Sequence, residues 1–239
     1  GHPLFTDHRR HERLDMGADA AALLGLEKWE PPVPTGMDGE VCGIAGKTVR
    51  YDIENLKMYP DALTAGEPVQ ITEKLHGTFV QIGLWPGLAH PDLAEDGDLI
   101  VASKGLGAKG LVFMDVPANA GNLYLKTVKA QLDARGRGIA DRIRELQVTG
   151  QFGLDPATPV FVLGEIYGPG IQDLGYGAET PELRAFDVYL GKPQQGRYLD
   201  PEEKAAFLAE LGIAQVPVLY EGPWDRAHAD ALRDGETTL

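Results

Sequence analysis

The chain has 239 residues, a net charge of −14 and a hydrophobic content of 43%. That length and composition support one large domain or two small ones around a real core, and the acidic total gives no general sign of a nucleic-acid partner. A single cysteine, Cys42, excludes an internal disulfide framework and a cysteine-rich zinc site; it fits a reducing cytoplasm, and no apolar run approaches the roughly 18 residues of a membrane span.

Residues 1–16 read as a polar tail, with His2, His8 and His11 exposed and no partner ligands at metal spacing. Asp19–Leu26 is predicted to be a short helix closed near Gly25. Glu30-Pro31-Pro32-Val33-Pro34 and the glycine-rich stretch to Gly46 follow as a linker, because consecutive prolines fit neither helix nor central strand. Residues 1–46 are therefore read as a tail and linker, and 47–239 as the main domain. Within it, Ile53–Pro60 is a turn or short helix ended by the proline.

Val69–Leu84 reads as a strand pair broken around Lys74–Gly77, and Leu99–Ser103 as a further strand. The run Lys104-Gly105-Leu106-Gly107-Ala108-Lys109-Gly110 lacks the phosphate-loop pattern, and no helix is expected directly after it. Leu123–Ile143 carries helical periodicity interrupted at Arg135-Gly136-Arg137-Gly138. Pro159–Gly168 reads as a buried strand holding one carboxylate, Glu165, which is costly to bury unless it is paired or faces a polar site. Leu183–Leu190 is a strand, Asp200–Leu211 a capped helix, Val216–Tyr220 a short strand and Asp225–Leu232 a last helix. Irregular alternation of strands and helices argues an α+β fold.

Charge is unevenly spread. Lys104–Arg144 holds eight basic residues against three acids, while Asp200 to the end holds nine acids. The basic stretch reads either as a patch for a phosphate backbone or as a solvated helix face.

Three motifs line up in order: Glu73-Lys74-Leu75-His76-Gly77-Thr78, then Leu163-Gly164-Glu165-Ile166-Tyr167-Gly168 with Gly170-Ile171-Gln172, then Arg184-Ala185-Phe186-Asp187-Val188. The chain resembles the covalent nucleotidyltransferase superfamily of ligases and capping enzymes, and within it the ATP-dependent RNA ligases that carry the Lys-x-His-Gly form. The resemblance covers Tyr51 to the C-terminus. Leu24–Pro32 also resembles the joint that follows an N-terminal OB-type domain in one group of such ligases.

The resemblance implies a nucleotidyltransferase domain of two antiparallel sheets flanked by helices, with an ATP pocket between them. It implies that Lys74 attacks the α-phosphate of ATP and forms a lysyl–AMP phosphoramidate, a role suited to a neutral amine. The AMP then passes to an RNA 5′-phosphate, and a 3′-hydroxyl displaces it. His76 would orient the lysine or the phosphates. Glu73, Gly77 and Lys104 would belong to the nucleotide site, Glu165 would bind the ribose hydroxyls and Phe186 would stack on adenine. Magnesium would neutralise the triphosphate, with no metal site of the protein's own. The partners would be RNA ends or a nicked duplex, with no membrane involved.

The end of the chain departs from the family pattern. The only later Glu-Gly, Glu221-Gly222, is followed by Pro223 and Trp224 and is expected to continue a strand poorly, and no lysine follows Lys204. The resemblance therefore implies a piece of a longer ligase that self-adenylylates weakly. The alternatives are a catalytically deficient binder of nucleic-acid ends, and a DNA ligase or capping-type enzyme of the same superfamily.

Overall fold

The computed structural model describes residues 39–233 and 235–239, together with Gly25. The expected helix Asp19–Leu26, the histidine tail and the proline-rich stretch lie, Gly25 apart, outside the described residues. The strands are β1 (Val41–Gly43), β2 (Pro68–Thr72), β3 (Thr78–Leu84), β4 (Leu99–Ser103), β5 (Leu111–Phe113), β6 (Val160–Tyr167), β7 (Glu182–Leu190), β8 (Arg197–Tyr198) and β9 (Val218–Pro223). The helices of five residues or more are α1 (Lys104–Ala108), α2 (Leu123–Lys129), α3 (Ile139–Thr149), α4 (Pro201–Glu210) and α5 (Arg226–Arg233).

Among the described residues the strands form three antiparallel sheets. The largest has the order β4-β3-β6-β7-β8, and two ribbons pair β2 with β9 and β1 with β5. β1 lies within the glycine-rich stretch expected to be linker: Val41, Cys42 and Gly43 stand opposite Phe113, Val112 and Leu111.

Alternation along the strands divides the large sheet into two faces. Val80, Ile82 and Leu84 of β3 and Val160, Val162 and Ile166 of β6 pack with Leu125 and Val128 of α2 and Ile139, Ile143 and Leu146 of α3. The periodicity across Leu123–Ile143 thus belongs to two helices. A loop closed by Asp133, which accepts the main-chain N–H groups of Arg135 and Arg137, separates them. On the opposite face Phe79 stands across from Glu165 and is free of this core.

Three readings change in the folded chain. β2 and β3 do not pair with each other. β2 joins β9, and β3 joins β4 and β6, so Lys74–Gly77 is a crossover between sheets and not a hairpin turn. The Lys104–Gly110 run is itself largely helical, started by Ser103, whose side chain accepts the Leu106 N–H. Glu221-Gly222-Pro223 does continue a strand, opposite Gln70, Val69 and Pro68. A two-stranded ribbon leaves one side of each strand without a ladder partner, and a proline without N–H is tolerated there.

Candidate active site

A cleft of about 680 Å³ opens between the β2/β9 ribbon and the large sheet. The crossover supplies Glu73 and Lys74, β6 supplies Glu165, β7 supplies Phe186 and Asp187, and α1 supplies Lys104. Residues more than a hundred positions apart in sequence therefore converge on one concave surface.

The crossover is held against β6 by close backbone approach. A Cβ added at Gly77 would stand 2.2 Å from the carbonyl oxygen of Ile166, so only glycine fits without displacing a strand. The Gly77 N–H donates to Glu165 Oε1 at 3.1 Å, which ties the lysine-bearing turn to the carboxylate. Gly164 plays the same part between β6 and β7, where a Cβ would meet the Arg184 carbonyl oxygen at 2.7 Å. Leu75 is buried beside Tyr167 and Val216 and anchors the segment, while Lys74 itself is exposed.

Glu165 is the only residue of β6 that is not fully buried. β6 is a central strand, so the carboxylate has no sheet edge to serve and faces the cleft. Burial raises its pKa, and the Gly77 N–H and the nearby Lys74 ammonium partly offset that rise.

Phe186 occupies a β-bulge. Leu163 pairs with Asp187 and Gly164 with Ala185, so Phe186 has no opposite number on β6. A bulge re-aims a side chain and bends the strand locally, and here it turns the phenyl ring into the cleft. The ring lies 5.3 Å from that of Tyr51 and 5.9 Å from that of Phe79, an aromatic wall suited to a planar ligand.

Of the residues singled out from the sequence, Glu73, Lys74, Lys104, Glu165 and Phe186 line the cleft. Gly77 positions the turn behind it. His76 is exposed, is not part of the lining and donates its main-chain N–H to the Tyr176 hydroxyl at 2.7 Å. Sequence reading missed Tyr51, Gln70, Asp187 and Lys204, all of which line the cleft. The Tyr51 hydroxyl donates to an Asp187 carboxylate oxygen. Burial pushes both pKa values up; the hydrogen bond adds to the rise at Tyr51, while at Asp187 that bond and Lys204 oppose it. Asp187 adjoined a motif residue and was the one most open to notice. Tyr51 comes from a loop, Gln70 from β2 and Lys204 from α4, and they carry no local pattern.

Within the basic stretch Lys104–Arg144, four side chains are engaged inside the fold. Arg137 pairs with Asp133 and Glu145, Arg144 with Glu95, and Lys129 with Asp115. Arg142 is buried and donates to the carbonyls of Gln131, Gly138 and Leu211. These four side chains thus serve contacts within the fold, while Lys104 lines the cleft.

Residues 67–238 match the family described as RNA ligase. The chain belongs to the RNA ligase family. Solved structures of an RNA ligase from Naegleria gruberi share its fold. With the form bound to PPi the TM-score is 0.60 at 20% identity, over 93% of this chain and 58% of that one. With a mutant crystallised with AMP and Mn it is 0.58 at 20% identity, over 89% and 55%. With another mutant, holding ATP and Mn, it is 0.56 at 19% identity, again over 89% and 55%. No curated protein matches the chain. The chain thus spans a little over half the length of these RNA ligases, and the family's fold is the mixed α+β, antiparallel arrangement described above. No helix among the described residues is long and apolar enough to cross a membrane.

Proposed function

We propose that this chain is the nucleotide-transfer domain of an ATP-dependent RNA ligase, with Lys74 as the nucleophile. The observation that carries the reading is the convergence of Lys74, Lys104, Glu165 and Phe186 on one cleft from four separate elements. In the first step the neutral Lys74 amine attacks the α-phosphorus of ATP. A P–N bond forms, the bond to pyrophosphate breaks and the amine proton is lost. In the second, an oxygen of an RNA 5′-phosphate attacks the same phosphorus and the P–N bond breaks, which gives RNA-adenylate. In the third, a 3′-hydroxyl attacks the RNA 5′-phosphorus, seals the strand and releases AMP.

Each cleft residue has a task in this scheme. The Glu165 carboxylate accepts hydrogen bonds from the ribose hydroxyls, and Gly77 holds that carboxylate in place through its N–H. Phe186 offers its face to adenine, backed by Tyr51 and Phe79. Lys104 contacts phosphate, Glu73 flanks the nucleophile and His76 serves the incoming phosphates from outside the cleft. The described residues include no group of three His, Cys, Asp or Glu side chains able to hold a metal ion. Mg2+ would be carried by the triphosphate, where it neutralises charge on the transferring group. The segment ahead of the domain is read as the tail of an OB-type domain, and the single cysteine supports a cytoplasmic setting.

The whole protein, supplied with ATP and Mg2+, is expected to seal a nick whose 3′-hydroxyl strand is RNA, and Lys74→Ala is expected to abolish sealing. Equal sealing of an all-DNA nick, or sealing that survives Lys74→Ala, contradicts this reading.

A further inference from the structure

Lys204 carries no motif, yet it is 7% exposed and lines the cleft. Lysine is almost never buried without partners, and this one has two. Its Nζ donates to the Phe186 carbonyl at 3.0 Å and to Gln70 Oε1 at 3.3 Å. The first partner follows from the bulge, where Phe186 stands outside the residue-for-residue pairing of β6 and β7. The second lies on β2, so a single ammonium on α4 ties the two walls of the cleft together.

Gln70 is also constrained at its other end. Its Nε2 lies 3.5 Å from Glu221 Oε2, its cross-strand neighbour on β9. An ammonium has only donors and a carboxylate only acceptors. The amide therefore has one favourable orientation, with the carbonyl toward Lys204 and the amino group toward Glu221. One lone pair of the carbonyl and one hydrogen of the amino group remain for a ligand.

We propose that Lys204, by fixing the Gln70 amide beside the aromatic wall, makes the cleft prefer adenine to guanine. The inference rests on the cleft being the nucleotide site. A glutamine amide reads adenine by accepting from the N6 amino group and donating to N7, whereas guanine offers acceptors at both O6 and N7. With guanine, the Gln70 carbonyl would face O6, acceptor against acceptor. Turning the amide over would relieve that clash only by setting its amino group against the Lys204 ammonium and its carbonyl against the Glu221 carboxylate. Lys204 is thus a positioning residue, and Gln70 is the group that touches the base.

Equilibrium binding of AMP and of GMP to the 239-residue chain tests this, with the thermal unfolding midpoint followed for every variant. The wild type is expected to favour AMP. Lys204→Met is expected to narrow the AMP:GMP affinity ratio by about tenfold or more, chiefly by admitting GMP, while Lys204→Arg keeps the ratio. Gln70→Leu is expected to narrow it in the same way, which decides the matter should Lys204→Met fail to fold. A folded Lys204→Met or Gln70→Leu that keeps the wild-type ratio overturns the role given to this pair and leaves the cleft assignment standing. A wild-type chain that binds neither nucleotide overturns the cleft assignment and this inference with it.

Discussion

A methyl group at Gly77 would press directly on the main-chain carbonyl of Ile166, and neither β3 nor β6 can yield without disturbing the core beneath them. Gly77→Ala is therefore expected to destabilise the domain by about 2–3 kcal/mol, in the range of core overpacking, as read from its urea unfolding midpoint. A midpoint equal to that of the wild type would show that the crossover is loosely held. At this scale the sequence was legible where residue type and chemistry coincide. Lys74 beside a glycine, a lone carboxylate at Glu165 in an apolar strand, and Phe186 in a strand with Asp187 all pointed to one surface, and they lie on it. Tyr51, Gln70 and Lys204 were not legible, because their partners, the Asp187 carboxylate for Tyr51, Lys204 for Gln70 and the Phe186 carbonyl for Lys204, are brought to them only by the folded chain.

Single elements show a similar division. Strand positions followed from apolar alternation, but partners did not, since a strand's pattern says which face is buried and not which neighbour it joins. Val69–Leu84 therefore read as a pair, although β2 and β3 belong to different sheets. The bulge at Phe186 was equally hidden, because one extra residue leaves no mark on composition. The basic run stayed open to two readings for a different reason, since acids such as Glu145 and Glu95, which balance Arg137 and Arg144, are brought to them only by the fold. One of these balances has a measurable consequence. The main-chain N–H of Arg137, with its guanidinium and the N–H of Arg135, holds the Asp133 carboxyl at about 2, below its ordinary 3.8. A depressed carboxyl pKa stabilises the fold fully above the unfolded value, and that contribution is lost as pH falls through the folded value. The stability difference between wild type and Asp133→Asn is therefore expected to be constant near neutral pH and to shrink as pH falls from 3.8 to about 2. Urea unfolding across that interval checks this, and a difference that stayed constant to the lowest pH would contradict it.

For the whole molecule, the α+β class was readable from the irregular alternation of strands and helices, and the cleft between antiparallel sheets was implied by the resemblance; the solved structures that share the fold agree with the class. Among the described residues the β1/β5 ribbon adds to the two sheets that frame the cleft, and it was not legible because β1 is short and ends in glycine. The architecture explains how distant motifs cooperate. The large sheet fixes Glu165 and the bulged Phe186, the β2/β9 ribbon forms the facing wall, and the crossover between them carries the lysine. In the function proposed above, this crossover lysine is the nucleophile. Its most direct test is incubation of the chain with ATP labelled at the α-phosphate and Mg2+, followed by peptide mapping. AMP is expected to be bound covalently to the peptide containing Lys74 and to be absent in Lys74→Ala. Label on any other residue, or label that persists in Lys74→Ala, would contradict it.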